Sequence, residues 1–276
     1  MHGKREKKRD VRHTLVIVFA ALFLLSAVLL GRDLIRSARE RQANEELASV
    51  AAGETLRRED ASALSSASVG SSANTSEGED PWGRNYLPLV EQNDDMAAWL
   101  LIPDTQIDYP VMYTPEAPEH YLRKAFDESY ALSGSLFIGA DCAPSGSNII
   151  IYGHNMKDGS MFGGLDAYAD ESFAKEHSEM IYDLISQDGS YERLTFEVMA
   201  VFYSRVYRVN EADVFRYYYG TDLSDPEDFQ SYVEAAMSAS LYDLGVTAEY
   251  GDRLLTLSTC SYHTADGRFV IIAREK

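Results

Sequence analysis

Leu254-Leu255-Thr256-Leu257-Ser258-Thr259-Cys260 and Arg268-Phe269-Val270-Ile271-Ile272 are separated by the loop Ser261–Gly267. Both runs are apolar, of strand length, and the second is rich in β-branched residues. The loop ends in Asp266-Gly267, a turn signal. Paired as an antiparallel hairpin, the end of the first strand lies beside the start of the second. Cys260 and Arg268 then become neighbours despite the loop between them. A guanidinium in that place favours a thiolate and a developing oxyanion. Far upstream, a third apolar run, Asn148-Ile149-Ile150-Ile151-Tyr152-Gly153, delivers His154 at its end. An imidazole near a thiol can protonate a leaving amine and deprotonate an incoming nucleophile. Thiol, imidazole and guanidinium at strand ends are the parts of a cysteine acyl-transfer enzyme.

Each residue also has a plainer reading. A cysteine at a strand end is commonly an inert small hydrophobe. An arginine there is commonly solvated. His263 competes with His154 as a base and forms a Cys-x-x-His pair with Cys260, but zinc needs four ligands and no second pair matches. The Ile-rich run before His154 implies a fixed position, whereas His263 sits on a loop. His120 and His177 lie among charged residues and are expected to be solvated. Cys142 lies in the turn-rich Ala140–Gly146 segment and reads as a semi-buried spectator. A Cys142–Cys260 bridge is not expected: one bridge is optional in a domain this size, and Cys260 stands where a reactive group belongs.

The chain has 276 residues, 45% of them hydrophobic, enough for a packed core. Its net charge of −19 hides an asymmetry. Lys4, Arg5, Lys7, Lys8, Arg9 and Arg12 face only Glu6 and Asp10 at the N-terminus, so the rest is more acidic than the total. A body this acidic is unsuited to nucleic acid, which needs clustered Lys and Arg. Thr14–Leu30, TLVIVFAALFLLSAVLL, carries no charge and is long enough for a short spanning helix. It ends in Gly31-Arg32-Asp33 with no Ala-x-Ala site, against a cleaved signal peptide. The basic flank places residues 1–13 in the cytoplasm and everything after Gly31 outside.

Residues 32–60 are Ala-, Glu- and Arg-rich and suit a helical stalk. Residues 61–80, ASALSSASVGSSANTSEGED, are too polar to offset ordering entropy and read as a flexible linker. The expected divisions are therefore 1–13, a cytoplasmic basic flank; 14–31, a transmembrane anchor; 32–81, an extracellular stalk and linker; and 82–276, a catalytic domain. Within the last, Trp99–Val111 reads as two extended pieces around a Pro-Asp turn. Further strands are expected at 134–138, 148–153, 179–185, 192–206, 254–259 and 268–273. One helix is clear: Ser224 or Asp225 caps it, Pro226 fits its first turn, and Phe229, Tyr232, Val233, Ala236, Met237 and Leu241 share a face. Many short strands with few helices argue for a mainly β, closed or nearly closed barrel.

Thr256-Leu257-Ser258-Thr259-Cys260 with Asp266-Gly267-Arg268 resembles the sortase signature in its class B form. Tyr152-Gly153-His154-Asn155-Met156 is similar to the family's histidine segment. The resemblance runs on through Trp99–Val111, Tyr121-Leu122, Gly134–Phe137 and Met161-Phe162, and covers about residues 85–274. It implies a closed eight-stranded sortase barrel with an N-terminal helical extension and a helix, 226–240, before the cysteine strand. It implies a membrane-anchored transpeptidase that cleaves a sorting signal, Asn-Pro-x-Thr or related, after Thr. A thioacyl enzyme would form, and a cell-wall amine on a peptidoglycan precursor or wall peptide would resolve it. Cys260 would be the nucleophile, His154 the general acid and then base, and Arg268 the group that orients substrate and holds the oxyanion. Ser258 and Tyr152 would line the substrate groove, and the backbone N–H of Ser261 would be an oxyanion donor. Loops around 203–224 would set substrate choice. No cofactor or metal is implied.

Two other classes fit the residues. A different extracellular thiol enzyme, a cysteine peptidase or cell-wall peptide cross-linker, uses the same groups, although the Ser-His-Gly-Cys segment usual in cross-linkers is missing. A non-catalytic anchored module would bind through its tyrosines, but Tyr217-Tyr218-Tyr219 and the others read first as ordinary strand residues.

Overall fold

The computed structural model describes residues 3–53 and 83–276, with side chains from Val16 onward. The expected linker at 61–80 lies outside the described residues. The chain divides into two compact units, residues 1–42 and 43–276. Helix α1 (Gly3–Ala51) continues through the expected anchor and most of the expected stalk. In the first unit its apolar side chains from Val16 to Leu30 are exposed. The helix is long and apolar enough to cross a membrane.

In the second unit, a short helix α2 (Leu87–Val90) precedes strands β1 (Met96–Leu101), β2 (Asp108–Met112), β3 (Leu136–Ile138) and β4 (Asn148–Tyr152). Then come helix α3 (Glu171–Glu176), β5 (Glu179–Ile185), β6 (Tyr191–Arg205), helix α4 (Pro226–Ala239), β7 (Leu254–Cys260) and β8 (Gly267–Glu275). The strands close a barrel in the order β1-β2-β3-β4-β7-β8-β6-β5, and β5 returns to β1. Six of the pairings are antiparallel; β2–β3 and β4–β7 are parallel.

Period-two alternation decides what fills the barrel. In β8, Phe269, Ile271 and Ala273 join Ala98 and Leu100 of β1, Ile149 and Ile151 of β4 and Leu255 and Leu257 of β7 inside. The intervening Val270 and Ile272 are buried outside, beneath Phe229, Tyr232, Val233 and Ala236 of α4. Each such large apolar side chain contributes about 1.5–3 kcal/mol on burial. Asp225 caps α4 by accepting from the N–H groups of Glu227 and Asp228 at 2.8 and 3.2 Å, with Pro226 in the first turn. On another outer face, Tyr86, Leu89 and Val90 meet Trp99 and Leu101 of β1 and Ala51 at the end of α1.

The barrel, the hairpin and α4 agree with the sequence reading, except that Leu241, expected on the helix's apolar face, lies beyond Ala239 and is exposed. Three further local features do not agree. Helix α3 was not foreseen; Asp170 caps it, accepting from Ser172 and Phe173, but only Ala174 is buried on it, too little for a periodic stripe. Tyr217–Tyr219 form a 3-10 turn rather than strand residues. His177 is half-buried, its ring 4.2 Å from that of Phe173 and its Nδ1 3.3 Å from the Pro103 carbonyl.

Candidate active site

The ends of β4, β7 and β8 meet at one mouth of the barrel. β7 pairs with β8 so that Cys260 stands opposite Arg268. On its other edge β7 runs parallel to β4, with Tyr152 opposite Ser258. Two bonds carry this register past the end of β4: the Gly153 N–H donates to the Ser258 carbonyl at 3.3 Å, and the Thr259 hydroxyl to the Gly153 carbonyl at 2.8 Å. His154, the next residue, is thereby held on the cysteine's side of the rim. Gly153 allows this because a Cβ there would meet Leu136 at 2.5 Å and Phe162 at 2.7 Å.

A cleft of about 490 Å³ opens here, lined by Cys260, His154, Arg268, Tyr152 and Ser258 among others. Cys260 is exposed and Cys142 buried, and both thiols are free. Burial raises the Cys142 pKa, which suits an inert spectator. The His154 Nε2 lies 2.8 Å from the Leu122 carbonyl. Burial pulls the His154 pKa down; the carbonyl opposes this, and the charge of Arg123 adds to it. Arg268 donates through Nη1 to the carbonyls of Asp266 and Gly267, at 3.3 and 3.0 Å. These bonds brace the guanidinium against its own turn.

The sequence reading placed Tyr152 and the loops around 203–224 at the substrate groove, but read Tyr217–Tyr219 first as ordinary strand residues rather than as a wall of the cleft. Tyr217, Tyr218 and Tyr219 line the cleft with Phe137, Tyr152 and Val206. Tyr217 and Ser258 share a buried hydroxyl–hydroxyl bond of 2.7 Å. Burial lifts the Tyr152 and Tyr217 phenols, Tyr217 to about 12, and Arg268 is close enough to counter part of both rises. Three consecutive tyrosines beside Gly220 were the available signal.

Two residues lie elsewhere. The Ser261 N–H donates to the Gly267 carbonyl at 2.9 Å, closing the β7–β8 loop, and Ser261 does not line the cleft. That donor is therefore engaged and does not offer itself to an oxyanion here. His263 bonds the Ser261 hydroxyl through Nδ1 at 3.0 Å and packs on Tyr203, also off the cleft. Among the described residues, no three of His, Cys, Asp and Glu are grouped to hold a metal ion.

A closed eight-stranded barrel whose rim gathers a thiol, an imidazole and a guanidinium in one cleft is the architecture of a cysteine-site β-barrel protein. The family model described as the sortase domain matches residues 100–276. Sortase B of Listeria monocytogenes is 35% identical over 189 residues, covering 66% of this chain and 70% of that protein. Sortase B of Staphylococcus aureus is 27% identical over 193 residues, 68% of this chain and 73% of that one. The crystal structure of sortase B from B. anthracis superposes with a TM-score of 0.65 at 25% identity, covering 88% of this chain and 98% of that one. The chain belongs to the sortase family, in its class B. Family and fold together support a transpeptidase function.

Proposed function

We propose that the chain cleaves a C-terminal sorting signal of the Asn-Pro-x-Thr kind after Thr and transfers the protein to a cell-wall amine. His154 takes the thiol proton of Cys260, the sulfur attacks the threonine carbonyl, and Arg268 holds the oxyanion that develops. His154 gives its proton to the departing amine as the C–N bond breaks, leaving a thioacyl enzyme. It then takes a proton from the incoming amine, whose nitrogen displaces the sulfur and restores the thiol. Tyr152 and Ser258 form part of the wall that aligns the signal. The amine donor is a peptidoglycan precursor or wall peptide. In this reading residues 14–31 anchor the protein, residues 1–13 stay in the cytoplasm, and residues 82–276 work outside.

The observation that carries this is a single cleft holding an exposed Cys260 together with His154 and Arg268. The test is mass spectrometry of a peptide containing Asn-Pro-Gln-Thr-Gly, incubated with enzyme and triglycine. The expected product joins the threonine carbonyl to triglycine and disappears in Cys260→Ala. Free acid in undiminished yield whatever the amine concentration would make the chain a peptidase instead. Full cleavage by Cys260→Ala would remove the reading altogether.

A further inference from the structure

We infer that Asn155 is a positioning residue that locks Cys260 in register with His154 by replacing a missing rung of the β4–β7 ladder. The inference rests on the transpeptidase reading for its catalytic consequence, but its geometry stands apart from it. In a parallel pair, the carbonyls of alternate residues on one strand each take one N–H from alternate residues of its neighbour. The last such backbone rung is Gly153 N–H to Ser258 carbonyl, 3.3 Å. The next would run from the N–H of Asn155 to the carbonyl of Cys260. The chain turns away after Gly153, and the Phe162 N–H bonds the His154 carbonyl at 3.0 Å as the 154–162 loop folds back. The side chain of Asn155 makes the rung instead: its Nδ2 donates to the Cys260 carbonyl at 3.0 Å.

Among the described residues, Asn155 is the protein donor that the carbonyl of the exposed Cys260 takes. The Ser261 N–H is spent on Gly267, on the β8 side. The N–H and C=O of one trans peptide point opposite ways, so the Cys260 carbonyl faces β4. The second amide hydrogen of Asn155 goes to Asp166 Oδ2, also at 3.0 Å. Both neighbours are pure acceptors, which fixes the amide with its nitrogen towards them. Asp166 sits in the 3-10 turn Leu165–Ala169, whose Leu165 is fully buried in the core. A chain of contacts thus runs from the core through Asp166 and Asn155 to the backbone of Cys260. Asn155 directly follows His154, so the same rung sets the spacing of both reactive side chains.

The experiment compares Asn155→Ala, Asn155→Asp and Asp166→Asn in the full chain. Turnover of the Asn-Pro-Gln-Thr-Gly peptide with triglycine is measured, alongside iodoacetamide alkylation of Cys260. Losing the rung is expected to lower kcat about tenfold, the upper range for one hydrogen bond, with KM within about twofold. Alkylation slows about threefold or more. Asn155→Asp keeps the volume but loses the donor, so it falls at least as far as Asn155→Ala. Asp166→Asn retains an acceptor and stays close to the parent. Wild-type kcat and alkylation in Asn155→Asp overturn the inference, as does a loss confined to thermal stability. Should Asn155→Ala not fold, the two isosteric variants decide alone. Should the parent not process the peptide, the functional reading fails, while the alkylation series still tests the clamp.

Discussion

The Nε2 atom of His154 stands 2.8 Å from the carbonyl oxygen of Leu122. A carbonyl only accepts, so Nε2 carries the ring proton and Nδ1 holds the lone pair of the neutral imidazole. The working nitrogen of a base at this position is therefore Nδ1. Burial is the larger influence on the ring and lowers its pKa from the ordinary 6.5. Between the lowered native value and 6.5 the unfolded chain binds more protons than the folded one. Stability from this group thus rises with pH across that window and is lost on acidification. Nitrogen-15 NMR is expected to show the Nε2–H tautomer and a midpoint below 6.5. An Nδ1–H tautomer would break the link between Leu122 and the base, and a midpoint at or above 6.5 would show that burial does not dominate the ring.

The buried hydroxyl pair of Tyr217 and Ser258 predicts a non-additive mutant cycle. Both residues are almost fully buried and their oxygens lie 2.7 Å apart. Tyr217→Phe leaves the Ser258 hydroxyl short of a partner, and Ser258→Ala does the converse. Each is expected to cost about 1–3 kcal/mol in urea unfolding. The double variant should cost clearly less than the two together, because it removes both polar groups. Additive losses would mean that the bond does not operate in solution.

Legibility in the sequence followed how locally each feature is encoded. The β7–β8 hairpin is short-range, so Cys260 opposite Arg268 could be read from two apolar runs and a turn. Helix α4 announced itself through Asp225, Pro226 and one apolar face. The meeting of His154 with Cys260 depends on the parallel β4–β7 pairing, a long-range event that strand patterns do not specify. Its adjacency came from the family resemblance and the chemistry of the residues. The partners of the site were harder still. Leu122 acts through a carbonyl, which every residue possesses, and Asn155 reaches a backbone atom far away in sequence. Tyr217–Tyr219 had strand propensity and became a cleft wall because Tyr217 packs on Phe202 and bonds Ser258.

Gly153→Ala tests the close approach that holds His154 in place. The added methyl meets Leu136 at 2.5 Å and the Phe162 ring at 2.7 and 2.9 Å, all in a packed interior. Overpacking of this kind costs about 1–3 kcal/mol. The strain should also displace His154 and lower kcat more than KM. Gly164→Ala is the control: nothing lies within 4 Å of its Cβ position and its backbone is right-handed helical. It should change stability by about 0.5 kcal/mol or less. Equal losses in the two variants would argue against a special role for position 153.

The most costly single substitution should lie away from the cleft, at Arg193, the partner of the buried Asp183. Asp183 itself is 2% exposed. Arg193 grips both oxygens, Nε to Oδ1 and Nη2 to Oδ2, each at 2.7 Å. The Tyr86 hydroxyl donates to Oδ2, also at 2.7 Å. Burial above all drives the Tyr86 phenol far up, so it stays protonated and keeps donating. This triad fastens the segment entering α2 to the β5–β6 pair. Arg193→Met strands the buried carboxylate and should cost about 3–5 kcal/mol in chemical denaturation. Replacing the whole set, with Tyr86→Phe, Asp183→Leu and Arg193→Met together, removes the uncompensated charge and should cost much less than Arg193→Met alone. Turnover per folded molecule should be unchanged in both, since none of the three lines the cleft. A triple variant less stable than Arg193→Met would show that the charges contribute net stability rather than only requiring one another.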